Sequence, residues 1–459
     1  MSKANRKMRL CTFWFPPGSH SAGWRMPDAI PGSESSFKIM THIAQLSEQG
    51  KMDAIFFADS VTSQPVDLIA RRDKRGEQVH RGAGLEPMSL VTALAAVTSK
   101  IGLIATGTTT YNHPYHIARR FATLDQISGG RGGWNLVTSQ TESEAQNFGF
   151  DVHMEHDARY DRASEFYDVV AGLWDSWEDG AMLEDKENAR YFDIDKAHLL
   201  NHEGEHFKVR GPLNVLRSPQ GRPIVVQAGA SGPGKALAAR IADCVFTAQS
   251  KFPEAKAFYD EVKGLATGYG RHPEDLKVMP GLLPIIGRTM AEAEELRDQL
   301  QSLITDDQAL RSLYRIAGGL DLTKLPLDGP MPELPLSNGA QGRQKILMDM
   351  ARKENLTLRQ AARRFAVGQA HQLICGTPET IADMMQDWFE KGACDGFCMM
   401  PCYYPRGIEA IVHLLIPELQ RRGLFRTEYE GATLRENLGL PMPQNRYTAV
   451  KAGGKQSVA

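Results

Sequence analysis

Seven residues, Gly229 to Lys235, read G-A-S-G-P-G-K, close to the glycine-rich loop that cradles nucleotide phosphates. The residue after the lysine is Ala236, so the hydroxyl that would hold Mg2+ is missing, and Pro233 removes one N–H from the cradle. What remains suits a monophosphate. Ser231 and Gly232 open a helical pattern after a buried run, and the N–H groups of a helix start favour an anion by on the order of 0.3–1 kcal/mol. A plain strand-to-helix turn would carry the same residues. His156 and Tyr160 are four apart at the start of another helical pattern and share its face, with Arg159 and Arg162 nearby. That patch reads as anion-facing or as a solvated helix start.

Four more candidates follow or end extended runs. His20 lies in the loop after the first, Asp59 ends the second, Thr106 lies in the third, and Ser139 ends the fourth beside Thr138 and Asn135. In parallel α/β folds, ligands bind at the carboxyl ends of strands. Singly, each residue reads as structural; together they converge on one mouth. Hydroxyls, one carboxylate, histidines and a phosphate cradle suit a phosphorylated aromatic cofactor. The clustered carboxylates that a divalent cation would want are lacking.

Two other spacings point to no metal. His198, His202 and His206 repeat every four residues, but N-H-E-G from Asn201 interrupts any helix there. Cys394, Cys398 and Cys402 are spaced C-x3-C-x3-C with the middle residue in an extended run, where alternation separates the side chains. The sequence contains neither G-x-S-x-G nor H-E-x-x-H.

These residues need a scaffold, and the chain supplies a repeating one. Eight extended runs alternate with helical patterns: Met8 to Phe15, Asp53 to Asp59, Ile101 to Thr110, Trp134 to Thr138, Ile224 to Ala228, Cys244 to Thr247, Val278 to Ile286 and Gly396 to Met400. The stretch S-G-G-R-G-G-W-N-L-V-T-S, Ser128 to Ser139, shows the unit plainly: a helix ends, two glycine pairs turn the chain around Arg131, and a buried strand follows. Eight such units predict an α/β fold, a (β/α)8 TIM barrel. It spans 1–440, with long insertions at about 180–222 and 303–370 over the carboxyl-end mouth. The first insertion contains a hairpin pattern, H-F-K-V-R-G-P-L-N-V, and the second is rich in Pro and Gly near Leu325 to Gly339. A polar excursion from Gln64 to Leu85 is a second loop over the mouth. The helix pattern Gly407 to Leu419 closes the barrel, and 441–459 is a tail, an arm or a disordered end.

Composition is that of an enzyme with a large core. Of 459 residues, 42% are hydrophobic and 24% charged. A formal net charge of -2 gives no basic footprint for nucleic acid. No apolar run reaches the roughly 18–20 residues that span a bilayer. Met1 to Leu10 is basic without an apolar segment, so it does not read as a signal peptide. Six cysteines in so long a chain are no disulfide framework, and a cytoplasmic setting is expected.

The motifs also carry a family resemblance. W-R from Trp24, F-F-A-D to Asp59, H-P-Y from His113, A-T-L-D-Q from Ala122 and W-N-L-V-T-S to Ser139 come in order. E-H-D-A-R-Y-D from Glu155, S-P-Q-G-R-P from Ser218, Q-A-G-A-S from Gln227, D-G-F from Asp395 and R-T-E-Y from Arg426 complete the series. From about Met8 to Leu440 the chain resembles the bacterial luciferase-like flavin monooxygenases. Within them it resembles the group of nitrilotriacetate, EDTA, dibenzothiophene-sulfone and long-chain alkane monooxygenases.

The resemblance implies a barrel that binds FMN, delivered reduced by a separate NAD(P)H:flavin reductase. O2 would be co-substrate, and a flavin (hydro)peroxide would oxygenate a small organic substrate, often with C–N or C–S cleavage, as in xenobiotic catabolism. Asp59, Thr106 and Ser139 would line the flavin ring and ribityl region. His156, Tyr160, Ser231 and Gly232 would hold the ribityl end and phosphate, and His20 would act at the substrate face. A homodimer is implied as well. Three alternatives share the scaffold: an enzyme whose substrate is the isoalloxazine itself, a deazaflavin-dependent dehydrogenase, and a flavin-binding protein without turnover. The loop around Pro16 to Ser21 and the Leu303 insertion would set substrate choice. That insertion and the Gln64–Leu85 excursion are the candidate lids.

Overall fold

A computed structural model of the chain describes residues 6–63, 66–70, 72–73, 83–313, 316–318, 320–338 and 341–451. Much of the Gln64–Leu85 excursion falls outside the described residues, so its role as a lid is not addressed there; Val66–Ala70 forms a short helix.

Thirteen strands are described. β1 (Arg9–Trp14), β2 (Ala54–Phe57), β3 (Gly102–Thr108) and β4 (Gly132–Val137) begin the barrel. β5 (Met182–Asp185) with β6 (Arg190–Phe192), and β7 (His202–Glu203) with β8 (Lys208–Val209), form two hairpins outside it. β9 (Ile224–Gln227), β10 (Cys244–Thr247), β11 (Lys277–Ile286), β12 (Gln372–Gly376) and β13 (Gly396–Met399) complete the set. Every pairing in the main sheet is parallel, and the ring runs β1-β2-β3-β4-β9-β10-β11-β13 before returning to β1. This is a closed eight-stranded barrel, and its strands are the eight expected ones.

β12 was not expected. It pairs with Leu282 to Ile286, the outer half of β11, whose inner half, Lys277 to Pro280, pairs with β10. The long strand β11 therefore does two jobs: it closes the barrel below and receives the returning insertion above. The first insertion holds two hairpins where one was expected. The second folds into helices Asp306–Ser312, Gln341–Lys353 and Leu358–Gly368 around a hydrophobic cluster of its own, which includes Leu313, Leu347, Leu358 and Phe365.

Alternation along the strands sorts two apolar faces. Leu103, Ala105, Trp134 and Leu136 pack outward with the helices, whereas Cys11, Phe13, Phe56, Ile104, Val226, Phe246 and Cys398 fill the barrel. Phe13, Phe56 and Phe246 meet near its axis with ring centroids 5.1–5.5 Å apart.

Arg131 anchors the other end. It is buried, and its five guanidinium donors make five hydrogen bonds, to Ser128, Ala95, Thr98 and Ile101 carbonyls and to the Thr98 hydroxyl. Burial lowers its pKa, and Gly129 and Gly130, both at positive φ, let the helix Pro114–Ser128 turn back to place it. The stretch from Pro441 is an arm as far as it is described: Asn445 bonds the Asp175 and Trp177 carbonyls, and Tyr447 stacks on His198 at 3.9 Å. Among the described residues, no helix is long and apolar enough to cross a membrane.

Candidate active site at the barrel mouth

The carboxyl ends of β2, β3 and β4 bring three expected residues into one hydrogen-bonded edge. Thr106 and Asn135 are register partners across β3 and β4. The Thr106 hydroxyl donates to the Phe57 carbonyl at 2.7 Å and accepts from Asn135 Nδ2 at 2.8 Å. That leaves Asn135 Oδ1 buried with no partner, an acceptor held in place and waiting for a donor. One turn further up, Ser139 Oγ donates to Thr108 Oγ1 at 2.9 Å. Ser139 is buried at φ 56°, the left-handed region that non-glycine residues rarely adopt and that gathers at functional sites.

Asp59 stands beyond the end of β2. The residue is exposed, yet its surroundings still push its pKa up to about 6. Desolvation is the main cause; Glu86 and Glu144 add to it, and the Ser60 N–H opposes it.

The phosphate-suited residues also meet. The helix Gly232–Ile241 starts at Ser231, whose Oγ accepts from the Gly234 N–H at 3.2 Å. The turn before it nearly touches itself: a Cβ on Gly229 would lie 2.8 Å from the Gly234 Cα, and the Tyr160 hydroxyl lies 3.0 Å from the Cβ position of both glycines. Tyr160 comes from the helix His156–Trp174, with its ring 5.0 Å from that of His156, which bonds Asp157 through Nδ1 at 2.7 Å. Arg159 does not face an anion. Buried, it donates to the Met154 and Asn338 carbonyls and so ties the second insertion to this end of the mouth.

His20 follows β1, three strands round the ring from β4. Its N–H donates to the Cys402 carbonyl in the loop after β13. Nδ1 accepts from the Ala22 N–H at 3.2 Å, so the ring proton sits on Nε2, which is buried without a partner. Burial lowers its pKa to about 4. His20 is thus a neutral donor at the rim. No hydrogen bond joins it to the flavin-suited residues.

Two histidines at the mouth escaped the sequence reading. His153 is buried, with Nδ1 2.6 Å from the Tyr111 hydroxyl. His371, delivered just before β12, stacks on Phe246 at 5.0 Å and fits only because Gly281 has no Cβ. Neither histidine stands in a motif. The only local signal is backbone: Gln369 and Ala370 both take positive φ. The histidines of the first insertion go to separate carboxylates, His198 to Glu178 and His202 to Glu165. Among the described residues, no group of three metal-ligating side chains is assembled.

Comparison with known proteins agrees with this geometry. The family model of luciferase-like monooxygenases matches residues 18–395. The chain is 46% identical over 453 residues to N-acetyl-S-(2-succino)cysteine monooxygenase of Bacillus subtilis (strain 168), covering 97% of this chain and 100% of that one. It is 47% identical over 447 residues to nitrilotriacetate monooxygenase component A of Aminobacter aminovorans, covering 96% and 98%. A crystal structure of riboflavin lyase with modified FMN and substrate riboflavin superposes with a TM-score of 0.84 at 30% identity, over 95% of this chain and 97% of that one. Similarity that runs the length of a closed barrel, through the strand ends that build its mouth, makes this chain a member of the luciferase-like monooxygenase family.

Proposed function

We propose that this protein is the oxygenating component of a two-component system. It would take reduced FMN from a separate NAD(P)H:flavin reductase and, with O2, oxygenate a small organic substrate, with cleavage of a C–N or C–S bond. A relative named as component A supports the division of labour, and FMN in the similar riboflavin lyase supports the cofactor. We further propose a cytoplasmic homodimer; six free cysteines fit a reducing compartment.

The observation that carries the reading is the pairing, on one mouth, of a helix-start anion cradle with the unpartnered buried acceptor Asn135 Oδ1. FMN offers a phosphate to the first and a ring N–H to the second. Ser231, the Gly232 N–H and Tyr160 would hold the phosphate, with His156 beside the ribityl chain. Thr106, Ser139 and Asp59 would line the ring. Bound reduced flavin supplies the electrons that activate O2. The chain's own share is to orient that ring, to exclude water with the second insertion, and to offer the His20 Nε2 proton at the rim.

The test is single turnover with reduced FMN and 18O2, using nitrilotriacetate and N-acetyl-S-(2-succino)cysteine as probes. One labelled oxygen in a product is expected. Failure of reduced FMN to bind, or hydride transfer to substrate without labelled product, would overturn the proposal.

A further inference from the structure

Beside the barrel mouth, between β12 and the helices of the second insertion, lies a cavity of about 560 Å3. One part of its wall is apolar, built from Ile346, Met350, Phe365 and Leu373. Another part is cationic: Lys251, Arg363 and Arg364. No carboxylate is among its described lining residues.

The charges around it do not balance. Lys251 and Arg364 share Glu354, while Arg363 and Arg359 share Asp306, and Arg359 also reaches Asp328. Four cations thus share three carboxylates, and none of the three is among the described lining residues. Arg363 and Arg364 both line the cavity and are half exposed, so neither is closed off by its ion pair. A bidentate arginine favours a planar oxyanion such as a carboxylate.

The cavity also abuts the chemistry. His371 lines it, and the same ring stacks on Phe246 at 5.0 Å and 20°. Phe246 stacks in turn on Phe13 inside the barrel. One imidazole therefore partitions the cavity from the barrel interior. A molecule seated there would have one end on the cations and the other at the partition.

We infer that this cavity binds an organic carboxylate on a short apolar chain, as the outer half of the substrate. The inference rests on the reading of the protein as a monooxygenase of a small organic substrate. Carboxylate and hydrocarbon are both needed: the cations alone would take any anion, and the apolar wall alone any oil.

The experiment is calorimetric titration of the full chain, without flavin or turnover, using octanoate, octanol and nitrilotriacetate as probes. Octanoate is expected to bind at least about tenfold more tightly than octanol, the factor that about one net charge-assisted contact supplies. It should also bind more tightly than nitrilotriacetate, which has no chain for the apolar wall.

R363Q/R364Q should lose about tenfold for octanoate and nothing for octanol. A second variant leaves the ion pairs alone. A Cβ at Gly368 meets nothing within 4 Å, so G368F starts a side chain into open space beside the lining and takes up part of the cavity. It should weaken binding of both octanoate and octanol. FMN affinity, measured in parallel, should be the same in all three proteins. Equal affinity for octanoate and octanol, equal affinity for octanoate and nitrilotriacetate, or octanoate binding unchanged in either variant, would overturn the inference. Loss of FMN binding in the unmodified protein would instead strike the proposed function.

Discussion

The phenol oxygen of Tyr111 stands 2.6 Å from Nδ1 of His153, and the Nε2 side of that ring faces the backbone of Ser139 without closing a good hydrogen bond. Burial lowers the pKa of His153 and raises that of Tyr111 to about 12, so both groups are neutral and one hydrogen bond joins them. The pair stands against Ser139, which sits in a left-handed conformation.

Tyr111→Phe removes the hydroxyl and its hydrogen bond and keeps the ring, which stacks on Phe148 at 4.8 Å. It should cost about 1 kcal/mol of stability and weaken binding of reduced FMN severalfold through Ser139. Thermal melts and fluorescence titration measure the two effects. Unchanged flavin affinity would show that Ser139 holds its conformation unaided.

Ser231→Ala removes a helix cap and, with it, the proposed phosphate partner. Loss of the cap costs about 1 kcal/mol. Loss of the partner should raise the Kd for FMN about tenfold while leaving riboflavin, which has no phosphate, nearly unaffected. Titration of each flavin against both proteins separates the two roles. Equal weakening for both flavins would move Ser231 away from the phosphate.

His20 should steepen acid unfolding. Its pKa is lowered to about 4, from 6.5 when unfolded. Above pH 6.5 the ring is neutral in both states. As the pH falls through that window the unfolded chain takes up a proton that the fold resists, so stability drops by up to about 3 kcal/mol. His20→Gln should flatten this limb between pH 6.5 and 4. Chemical denaturation at a series of pH values measures it, and parallel curves for the two proteins would refute the assignment.

Asp59 has the opposite dependence. Its pKa is raised to about 6, so the fold resists ionisation and stability falls as the pH rises from about 4 to 6. Asp59→Asn should therefore melt at a higher temperature than the parent at pH 8, with the gain vanishing toward pH 4, and should bind flavin less well. A constant difference in Tm across that range would mean that the carboxyl is not the cause.

Arg131→Lys tests the anchor at the far end of the barrel. Lysine has three donors where arginine uses five, so at least two buried carbonyl or hydroxyl acceptors lose their partner. A loss of about 2–4 kcal/mol is expected, read by urea denaturation, with flavin affinity unchanged. A variant as stable as the parent would mean that water replaces the missing donors.

The barrel was legible because each of its eight strands is a short apolar run ended by a polar or glycine signal, as in A-I-F-F of β2. β12 was not, because Q-L-I-C-G is only half buried along most of its length and comes directly after a segment that reads as insertion. The hairpin of β5 and β6 is largely exposed and carries no alternation. Within the mouth, Ser231 and Tyr160 were legible from local spacing, and the structure brings them together. His153 and His371 were not, since each is placed by where a loop returns, which no spacing within the chain encodes.

The divided labour of β11 has an evolutionary consequence. Lys277 to Leu282 pair with β10 and β13 and complete the ring, while Leu282 to Ile286 receive β12. The segment between Ser302 and Gln372 brings most of its own core and leaves the ring closed without it. It has the form of an exchangeable cassette. Exchanging it would change the wall of the cavity beside the mouth and leave the strand ends of the ring undisturbed.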